Sequence, residues 1–438
     1  MTPNALDTLV GAHHQGPNRP GLTSVCSAHP TVLEASLRHA LTGGETILIE
    51  STCNQVNQYG GYTGLKPADF KALIDRLIDR VGIPPEQVIL GGDHLGPSVW
   101  QNEPAAQAMD KARVLVRDKV LAGYLKIHLD ASMRCADDPP DRPLDPAVSA
   151  ARSADLALIA EQAHAQRDPS YPSPRYVIGT EVPPPGGIQG EEGDLRVTPP
   201  DEVEDTIALT RQAFIERGLE AAWERVIAVV VQPGVEYGDQ VIYDYHRSAA
   251  ASLSRYIEGI PTLVYEAHST DYQTRQALRH LVEDHFAILK VGPALTFAYR
   301  EAIDALSCIE ADWLGVRGDR APSGVLAALD SAMTADPRYW AGYYTGSAAE
   351  QAFARRFSLS DRSRYYWPVP EVQTAVRQLL DNLRAAPIPL PLLSQYFPAP
   401  YQRIREGSLS ADPLSLVHDR IIGVLADYSY ACRGASQG

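Results

Sequence analysis

Several features that assign a chain to a common functional class are missing from this sequence. Its five cysteines are widely spaced and form no CxxC pair, so the sequence supports neither a disulfide framework nor a zinc ribbon. No apolar run reaches the length of a transmembrane helix, and the opening MTPNALDTLVGAHH lacks the basic stretch and apolar core of a signal peptide. We therefore expect a cytoplasmic protein without a membrane partner.

Common catalytic motifs and basic clusters are missing as well. There is no GxGxxG following a strand, no GxxxxGK[ST], no GxSxG and no HExxH. The chain holds 39 lysines and arginines against 54 aspartates and glutamates, a formal net charge of −15. Such an acidic chain repels nucleic acid, so we expect a small-molecule ligand, and an anionic one would need local positive charge. His13 and His14 precede the first predicted strand and are expected at the surface.

The sequence does contain a repeated alternation of short apolar runs with longer helical patterns. Its 438 residues are 45% hydrophobic and 21% charged, an ordinary globular balance. Apolar, β-branched runs separated by helices are typical of parallel strands buried on both faces. Eight such units predict the α/β class and a (β/α)₈ TIM barrel. The predicted strands are Leu22–Cys26, Thr46–Thr52, Val88–His94, Tyr124–Asp130, Tyr176–Val182, Val226–Pro233, Thr262–Ser269 and Phe286–Gly292.

The helical patterns define the expected domain organisation. After Pro67, apolar residues recur from Phe70 to Val81 with the spacing of an amphipathic helix. We expect residues 1–309 to form the barrel and carry the functional site, and residues 310–438 to form a helical, proline- and tyrosine-rich extension packed on it. The proline-rich segment Pro387–Pro400 is expected to lie extended. The predicted helices of the extension are Ser323–Met333, Val372–Leu383 and Leu414–Leu425.

Polar residues are concentrated where the predicted strands end, which is where barrels of this kind carry their active sites. His128 and Asp130 lie two residues apart, as do Glu266 and His268, so each pair faces the barrel mouth together. A single such residue could be a helix cap or the partner of a buried lysine. Polar ends on seven successive strands favour an active site. The residues are Glu50, Asn54, Gln55, Asp93, His94, His128, Asp130, Glu181, Gln232, Glu266, His268 and Lys290.

Histidines and carboxylates in this set, without converging cysteines, suit a borderline divalent ion such as zinc, with manganese or cobalt as alternatives. We expect His94, Glu181 and His268 to be the metal ligands, and Glu266 to be a fourth ligand or a base beside them. Asp93 and His94 are adjacent, so their side chains diverge unless the strand ends at the two glycines before them.

Several stretches resemble one known family. They are SVCSAHPTVLEAS from Ser24, ESTCNQVNQYGGYTG from Glu50, GGDHLGP from Gly91, KIHLDAS from Lys126, GTEVPPPGG from Gly179, YEAHSTDYQT from Tyr265 and LKVGPALTFAYREA from Leu289. The chain is similar there to the accessory, non-catalytic Z-type subunits of tagatose-bisphosphate aldolase and their ketose 4-epimerase relatives. The resemblance implies a fold like that of the zinc-dependent class II aldolases. Those enzymes place an aspartate beside a zinc-binding histidine after strand three, as Asp93 and His94 do here, but Glu181 departs from their mostly histidine ligand set.

The resemblance leaves two functions open: a metal-dependent ketose or ketose-phosphate 4-epimerase, and a non-catalytic subunit that stabilises a class II aldolase. The C4 proton of a 2-ketose is not acidic, so epimerisation requires breaking and remaking the C3–C4 bond. Retention of costly buried charges favours the enzyme. Asp93, Glu266 and Asp130 would move protons. The expected substrate-binding residues are Glu50, Asn54, Gln55, His128, Gln232, Ser269 and Lys290. The expected partners are the ketose, an aldolase subunit and further copies of the chain in a homo-oligomer.

Lys290, at the end of the eighth strand, has two possible roles. It could hold a substrate phosphate together with the hydroxyl groups of Ser269 and Thr270 and the backbone N–H groups at the start of the following helix. Alternatively, it neutralises Glu266 or Asp130 at the barrel mouth.

Overall fold

Eight parallel strands close into a barrel in the computed structural model, which describes residues 5–16, 19–179, 195–318 and 320–434. The barrel strands are β1 (Leu22–Cys26), β2 (Ile47–Thr52), β3 (Val88–Leu95), β4 (Lys126–Leu129), β5 (Arg175–Ile178), β6 (Val226–Val230), β9 (Val264–Ala267) and β10 (Phe286–Val291). The order around the barrel is β1-β2-β3-β4-β5-β6-β9-β10, and β10 pairs with β1 to close it. The fold prediction is confirmed.

The helices outside the barrel follow the apolar spacing of the sequence. In α3, Phe70, Ile74 and Leu77 are buried on one face, and the helix ends at Gly82, whose φ of 74° suits glycine. A short antiparallel ribbon, β7 (Glu236–Tyr237) and β8 (Ile242–Tyr243), follows β6. The helices of the barrel layer are α2 (Pro30–Gly43), α3 (Pro67–Val81), α4 (Ala105–Ala122), α5 (Pro146–His164), α6 (Pro200–Ile215), α7 (Glu220–Trp223), α8 (Arg247–Ile257), α9 (Arg275–Glu283) and α10 (Pro293–Arg317).

The N-terminal helix α1 (Ala5–His14) closes the bottom of the barrel. Leu6, Leu9 and Val10 form one apolar cluster with side chains of the barrel interior. His13 follows on the same face and is buried, with its Nε2 against the carbonyl oxygen of Pro20. The prediction that His13 lies at the surface was therefore wrong, because the helix covers the barrel floor.

The predicted helices of the extension are present as α11, α13 and α16. The predicted boundary at residue 309 falls inside α10, and the division into two domains remains a proposal. The expectation that Pro387–Pro400 is extended was wrong for residues 390–396, which form a helix begun by prolines at its first turn. The helices are α11 (Val325–Ala335), α12 (Ala348–Phe357), α13 (Pro370–Ala385), α14 (Leu390–Tyr396), α15 (Tyr401–Arg405) and α16 (Pro413–Cys432).

The last helix, α16, returns to the barrel wall and lies against α2, α9 and α10. Its buried face includes Leu416, Ile421 and Leu425, and the Gly21 N–H donates to the carbonyl oxygen of Cys432 over 2.8 Å. The extension therefore completes the outer layer of the barrel. Among the described residues, no helix combines the length and apolarity needed to cross a bilayer.

Candidate active site

A pocket of about 80 Å³ opens at the C-terminal ends of the barrel strands. The predicted site residues that line it are Asn54, Gln55, Asp93, His94, His268, Ser269 and Lys290. Four others lie buried beside or beneath it, namely Glu50, His128, Asp130 and Glu266. The structure thus brings most of the predicted set to one place, while the individual roles remain predictions. Glu181 lies outside the described residues.

An irregularity in β3 places Asp93 and His94 in the site together. The pairing of β3 with β4 shifts between Gly92 and Leu95, and His94 adopts a φ of 47°, so the strand bulges rather than ends. A Cβ on Gly96 would lie 1.5 Å from the carbonyl oxygen of Asp130, so only glycine fits after the bulge. The expected divergence of the two side chains is thereby avoided.

The bulge also brings the His94 ring onto Asp130, with 2.7 Å between Nδ1 and the Asp130 Oδ2. Burial disfavours a charged imidazole, but the Asp93 and Asp130 carboxylates outweigh it and raise the pKa of His94. Conversely, burial would raise the pKa of Asp130, but its contact with His94 lowers it. The two side chains form a hydrogen-bonded pair beside the pocket.

A buried ion network lies at the centre of the mouth. Lys126 Nζ is 2.9 Å from Glu50 Oε1 and 2.5 Å from Glu266 Oε2. Lys290 Nζ is 2.6 Å from both Glu50 Oε2 and Asp93 Oδ1. Burial raises the pKa of Glu266, but the two lysines outweigh it and lower that pKa well below its usual range. Three carboxylates therefore face two ammonium groups, which leaves local negative charge.

Two contacts explain how Glu50 is held there. A Cβ on the neighbouring Gly91 would lie 2.6 Å from Glu50 Oε1, so this glycine leaves room for the carboxylate. The Ser24 hydroxyl donates to Glu50 Oε2 over 2.5 Å. With Lys126 and Lys290, these contacts bind both carboxylate oxygens of Glu50. Glu50 and Lys290 are thus part of the internal charge network, in which Lys290 Nζ lies closer to Glu50 and Asp93 than to Glu266. The expected partners were Glu266 or Asp130, and the two expected roles of Lys290 remain predictions.

A candidate metal centre lies beside this network. One ligand atom from each of Asp93, His128, Glu266 and His268 lies within 4.8 Å of the others, and all four residues are buried. His128 Nε2 is buried without a hydrogen-bond partner, and its Nδ1 lies 2.9 Å from Asp93 Oδ1. Burial lowers the pKa of His268 to about 3, so that ring is neutral near pH 7.

These features fit a divalent ion. A buried imidazole nitrogen without a partner and a neutral second imidazole both offer lone pairs, and the excess of carboxylates favours a cation. This group includes His128 and not His94, which we had expected as a ligand. Two of the four residues, Asp93 and His268, also line the pocket.

The side-chain amides of Gln232 and Gln55, which we expected to bind substrate, form hydrogen bonds within the protein. The side-chain Oε1 of Gln232 accepts from the backbone N–H groups of Gly234 and Val235, in the turn after β6. Gln55 accepts from the Thr52 N–H and donates to the Cys26 carbonyl oxygen. Gln55 still lines the pocket, whereas Gln232 does not.

The start of α10 has its own carboxylate cap. Asp271 Oδ1 accepts from the N–H groups of Gly292 and Ala294, at 2.9 Å and 2.8 Å. Burial raises the pKa of Asp271 to about 6. These are the N–H groups that the sequence suggested for a substrate phosphate, and they are already bonded. Nothing in the sequence pattern marked Asp271 as their partner.

Sequence reasoning missed several further residues of the mouth. Lys126 shares its strand face with His128 and Asp130, so the alternation rule could have found it. The pocket wall also includes Tyr62, Tyr237, Arg364 and Tyr365. The last two come from a 3₁₀ turn of the extension, Arg362–Tyr365, far from any predicted strand, and no local pattern signalled them.

Fold and site together define a (β/α)₈-barrel protein with a buried acid–base group at its mouth that could hold a metal ion. A family model described as D-tagatose-1,6-bisphosphate aldolase subunit GatZ/KbaZ-like matches residues 6–433. The chain belongs to this family, and the resemblance stated from its motifs is confirmed.

Solved structures similar to this chain differ widely in how much of its sequence they share. The crystal structure of a probable tagatose 6 phosphate kinase from Sinorhizobium meliloti 1021 is 44% identical, with a TM-score of 0.85, and the match covers 94% of this chain and 100% of that one. Two fructose-bisphosphate aldolases, one putative from Coccidioides immitis and one from Campylobacter jejuni, are 12% identical with TM-scores of 0.43. Those matches cover 88% and 87% of this chain and 98% and 91% of theirs, and they are too distant to bear on function.

Proposed function

We propose that this chain is a subunit of a tagatose-bisphosphate aldolase and works with a separate class II aldolase subunit. The observation that carries the proposal is the family match over residues 6–433, because that family is described as an aldolase subunit. The role requires a stable barrel with a surface for its partner, and it does not require turnover by this chain.

Within that role, the barrel mouth binds a divalent ion and a ketose. The support is the group Asp93, His128, Glu266 and His268, whose ligand atoms lie within 4.8 Å of one another below an open pocket. Zinc is the ion that this mixture of imidazole and carboxylate suits best, with manganese or cobalt as alternatives. A bound ion would act as a Lewis acid toward the ketose oxygens.

A second candidate is a metal-dependent ketose 4-epimerase. The observation that favours it is the buried ion network, since a purely structural subunit gains little from charges that are costly to bury. A carboxylate such as Asp93 or Glu266 would take the C4 hydroxyl proton while the C3–C4 bond breaks. The electron pair passes to an enediolate over C2 and C3, and C4 becomes an aldehyde. Rotation of the aldehyde, re-addition and return of the proton would invert C4.

One set of assays separates the two candidates. The purified full chain, with and without added zinc, manganese or cobalt, is assayed for 4-epimerisation of fructose, tagatose and their 6-phosphates. It is also added to a class II tagatose-bisphosphate aldolase subunit, whose activity half-life is measured. A subunit lengthens that half-life several-fold and does not epimerise.

An epimerase turns over alone, and Asp93→Asn lowers its turnover by about two to four orders of magnitude. The exposed Asp110 on α4 provides the control, since Asp110→Asn changes neither assay. A chain that neither epimerises nor prolongs aldolase activity contradicts both candidates.

A further inference from the structure

The barrel mouth has little free positive charge for an anionic substrate. Lys126 and Lys290 contact the carboxylates of Glu50, Asp93 and Glu266 at 2.5–2.9 Å. The N–H groups at the start of α10 are bonded to Asp271. In a chain of formal charge −15, an anion at this site requires a cation that is not neutralised.

Arg364 is a cation that no carboxylate contacts directly, and the buried Asp271 and Asp361 interact with it only at longer range. It lines the pocket together with Asp93, His268 and Lys290, and its guanidinium binds neutral acceptors. Nη1 donates to the backbone carbonyl oxygens of Ser360 and Asp361, and Nη2 donates to the Tyr365 hydroxyl over 3.1 Å. Within the part of the chain that the structure describes, no carboxylate oxygen lies within 4.0 Å of its guanidinium nitrogens.

The turn that carries Arg364 is fixed to the barrel. The Asp361 carboxylate accepts from the hydroxyl groups of Thr296, on α10, and Ser363, each over 2.6 Å. The preceding Leu359 donates its N–H to the Asp239 carbonyl oxygen, and its own carbonyl oxygen accepts from the Tyr272 hydroxyl. A guanidinium held in this way keeps its direction, so less freedom is lost when it binds a ligand.

Arg364 also lies where the pocket joins a larger cavity of about 550 Å³. The two cavities share Ser27, Tyr62, Thr296 and Arg364. The outer one lies between the barrel and α13, and its wall includes Arg76 and Arg377. A ketose whose reacting carbons lie over Asp93 and His268 would therefore direct its far end toward Arg364, with the outer cavity beyond it.

We propose that Arg364 determines substrate specificity by binding the terminal phosphate of a ketose phosphate. The inference rests on the proposed function, since it assumes that a ketose lies in the pocket. The contacts named above leave the Nε–H and one Nη2–H of the guanidinium for a ligand, and such a pair of N–H donors matches two phosphate oxygens. The tyrosines at positions 62, 237 and 365 line the same pocket and add hydroxyl groups. The C-terminal extension thereby contributes a binding residue to the barrel.

The test is calorimetric binding of tagatose 6-phosphate, tagatose and inorganic phosphate to the zinc-loaded full chain. Arg364→Met should weaken binding of tagatose 6-phosphate by about 10- to 100-fold and leave the affinity for tagatose within about twofold. Unchanged tagatose binding shows that the mouth remains folded. Arg364→Lys keeps the positive charge but lacks the paired N–H donors of the guanidinium, and it should lose less affinity for tagatose 6-phosphate. The control is Arg377→Met, because Arg377 lines only the outer cavity, and it should bind both sugars like the unmodified chain.

The outcomes separate this inference from the proposed function. If Arg364→Met weakens the binding of both sugars equally, or of neither, Arg364 does not recognise the phosphate and the inference is wrong. If the unmodified chain binds neither sugar but binds inorganic phosphate in a way that Arg364→Met abolishes, the ketose assignment fails while Arg364 remains an anion site. If it binds none of the three probes, this inference and the proposed ketose site are both overturned, while the role as an aldolase subunit still depends on the half-life assay.

Discussion

Among the single residues, the buried lysines have the largest effect on the barrel mouth, because they pair with its carboxylates. Lys126 is fully buried and lies between Glu50 and Glu266. Removing one partner of such a network leaves the others charged, buried and unpaired, which costs far more than losing an exposed pair.

Lys126→Met should therefore lower the free energy of unfolding by about 3–5 kcal/mol in urea titrations. The control is Lys111→Met, which breaks the half-exposed pair with Glu103 and should cost less than about 1 kcal/mol. Equal stability of the two variants would show that the network contributes nothing to folding.

Much of the site could be predicted at this scale, because strand ends and two-residue alternation are properties of the local sequence. They placed His128 with Asp130 and Glu266 with His268, and the structure has them at the mouth. Which side chains touch depends on the register between strands that are distant in sequence. The contact of Lys290 with Glu50, 240 positions apart, is of that kind, and no local pattern specifies it.

Among the helices and strands, α1 could have been predicted from its apolar spacing, and the sequence analysis did not use that spacing. Leu6, Leu9, Val10 and His13 have the i, i+3, i+4, i+7 spacing of one helix face, and that face covers the barrel floor. Burial lowers the pKa of His13 to about 3, with further lowering from the nearby His285, Arg19 and His14.

This burial makes stability depend on pH. Since the folded pKa of His13 lies below the unfolded value of 6.5, the folded state favours the neutral ring. The contribution of the neutral His13 ring to the free energy of unfolding is present above pH 6.5 and is lost as the pH falls toward 3. The free energy of unfolding should fall by about 1–2 kcal/mol between pH 7.5 and 5, beyond any change in His13→Leu. Identical pH dependence of both proteins would mean that the His13 ring is protonated or exposed when folded.

At the scale of the whole molecule, the extension is part of the barrel's outer layer. Helix α16 lies against α2, α9 and α10, and Leu425 is almost completely buried there. The sequence predicted the helices of the extension but not where they lie. The alternation of apolar runs and helical patterns predicts a barrel, but it does not specify which later helices pack on the outside of that barrel. The turn that carries Arg364 to the mouth is the clearest case.

The chain should unfold in one cooperative step. Leu425→Ala should shift the urea transition of the whole chain by about 2–5 kcal/mol, with circular dichroism and tryptophan fluorescence changing together. Tyr430→Ala, on the exposed side of the same helix, should cost less than about 1 kcal/mol. Two separate transitions, with only one affected by Leu425→Ala, would show that residues 310–438 fold as an independent domain.

We propose that the mouth of this barrel is a metal site, and the amount of divalent ion bound per chain is the decisive measurement. After loading with zinc and dialysis, elemental analysis should find about one ion per chain, as a single centre requires. His128→Ala and His268→Ala should each bind less than about a tenth of that amount, while His94→Ala, paired with Asp130, should keep most of it. Full zinc content in both His128→Ala and His268→Ala would contradict the account.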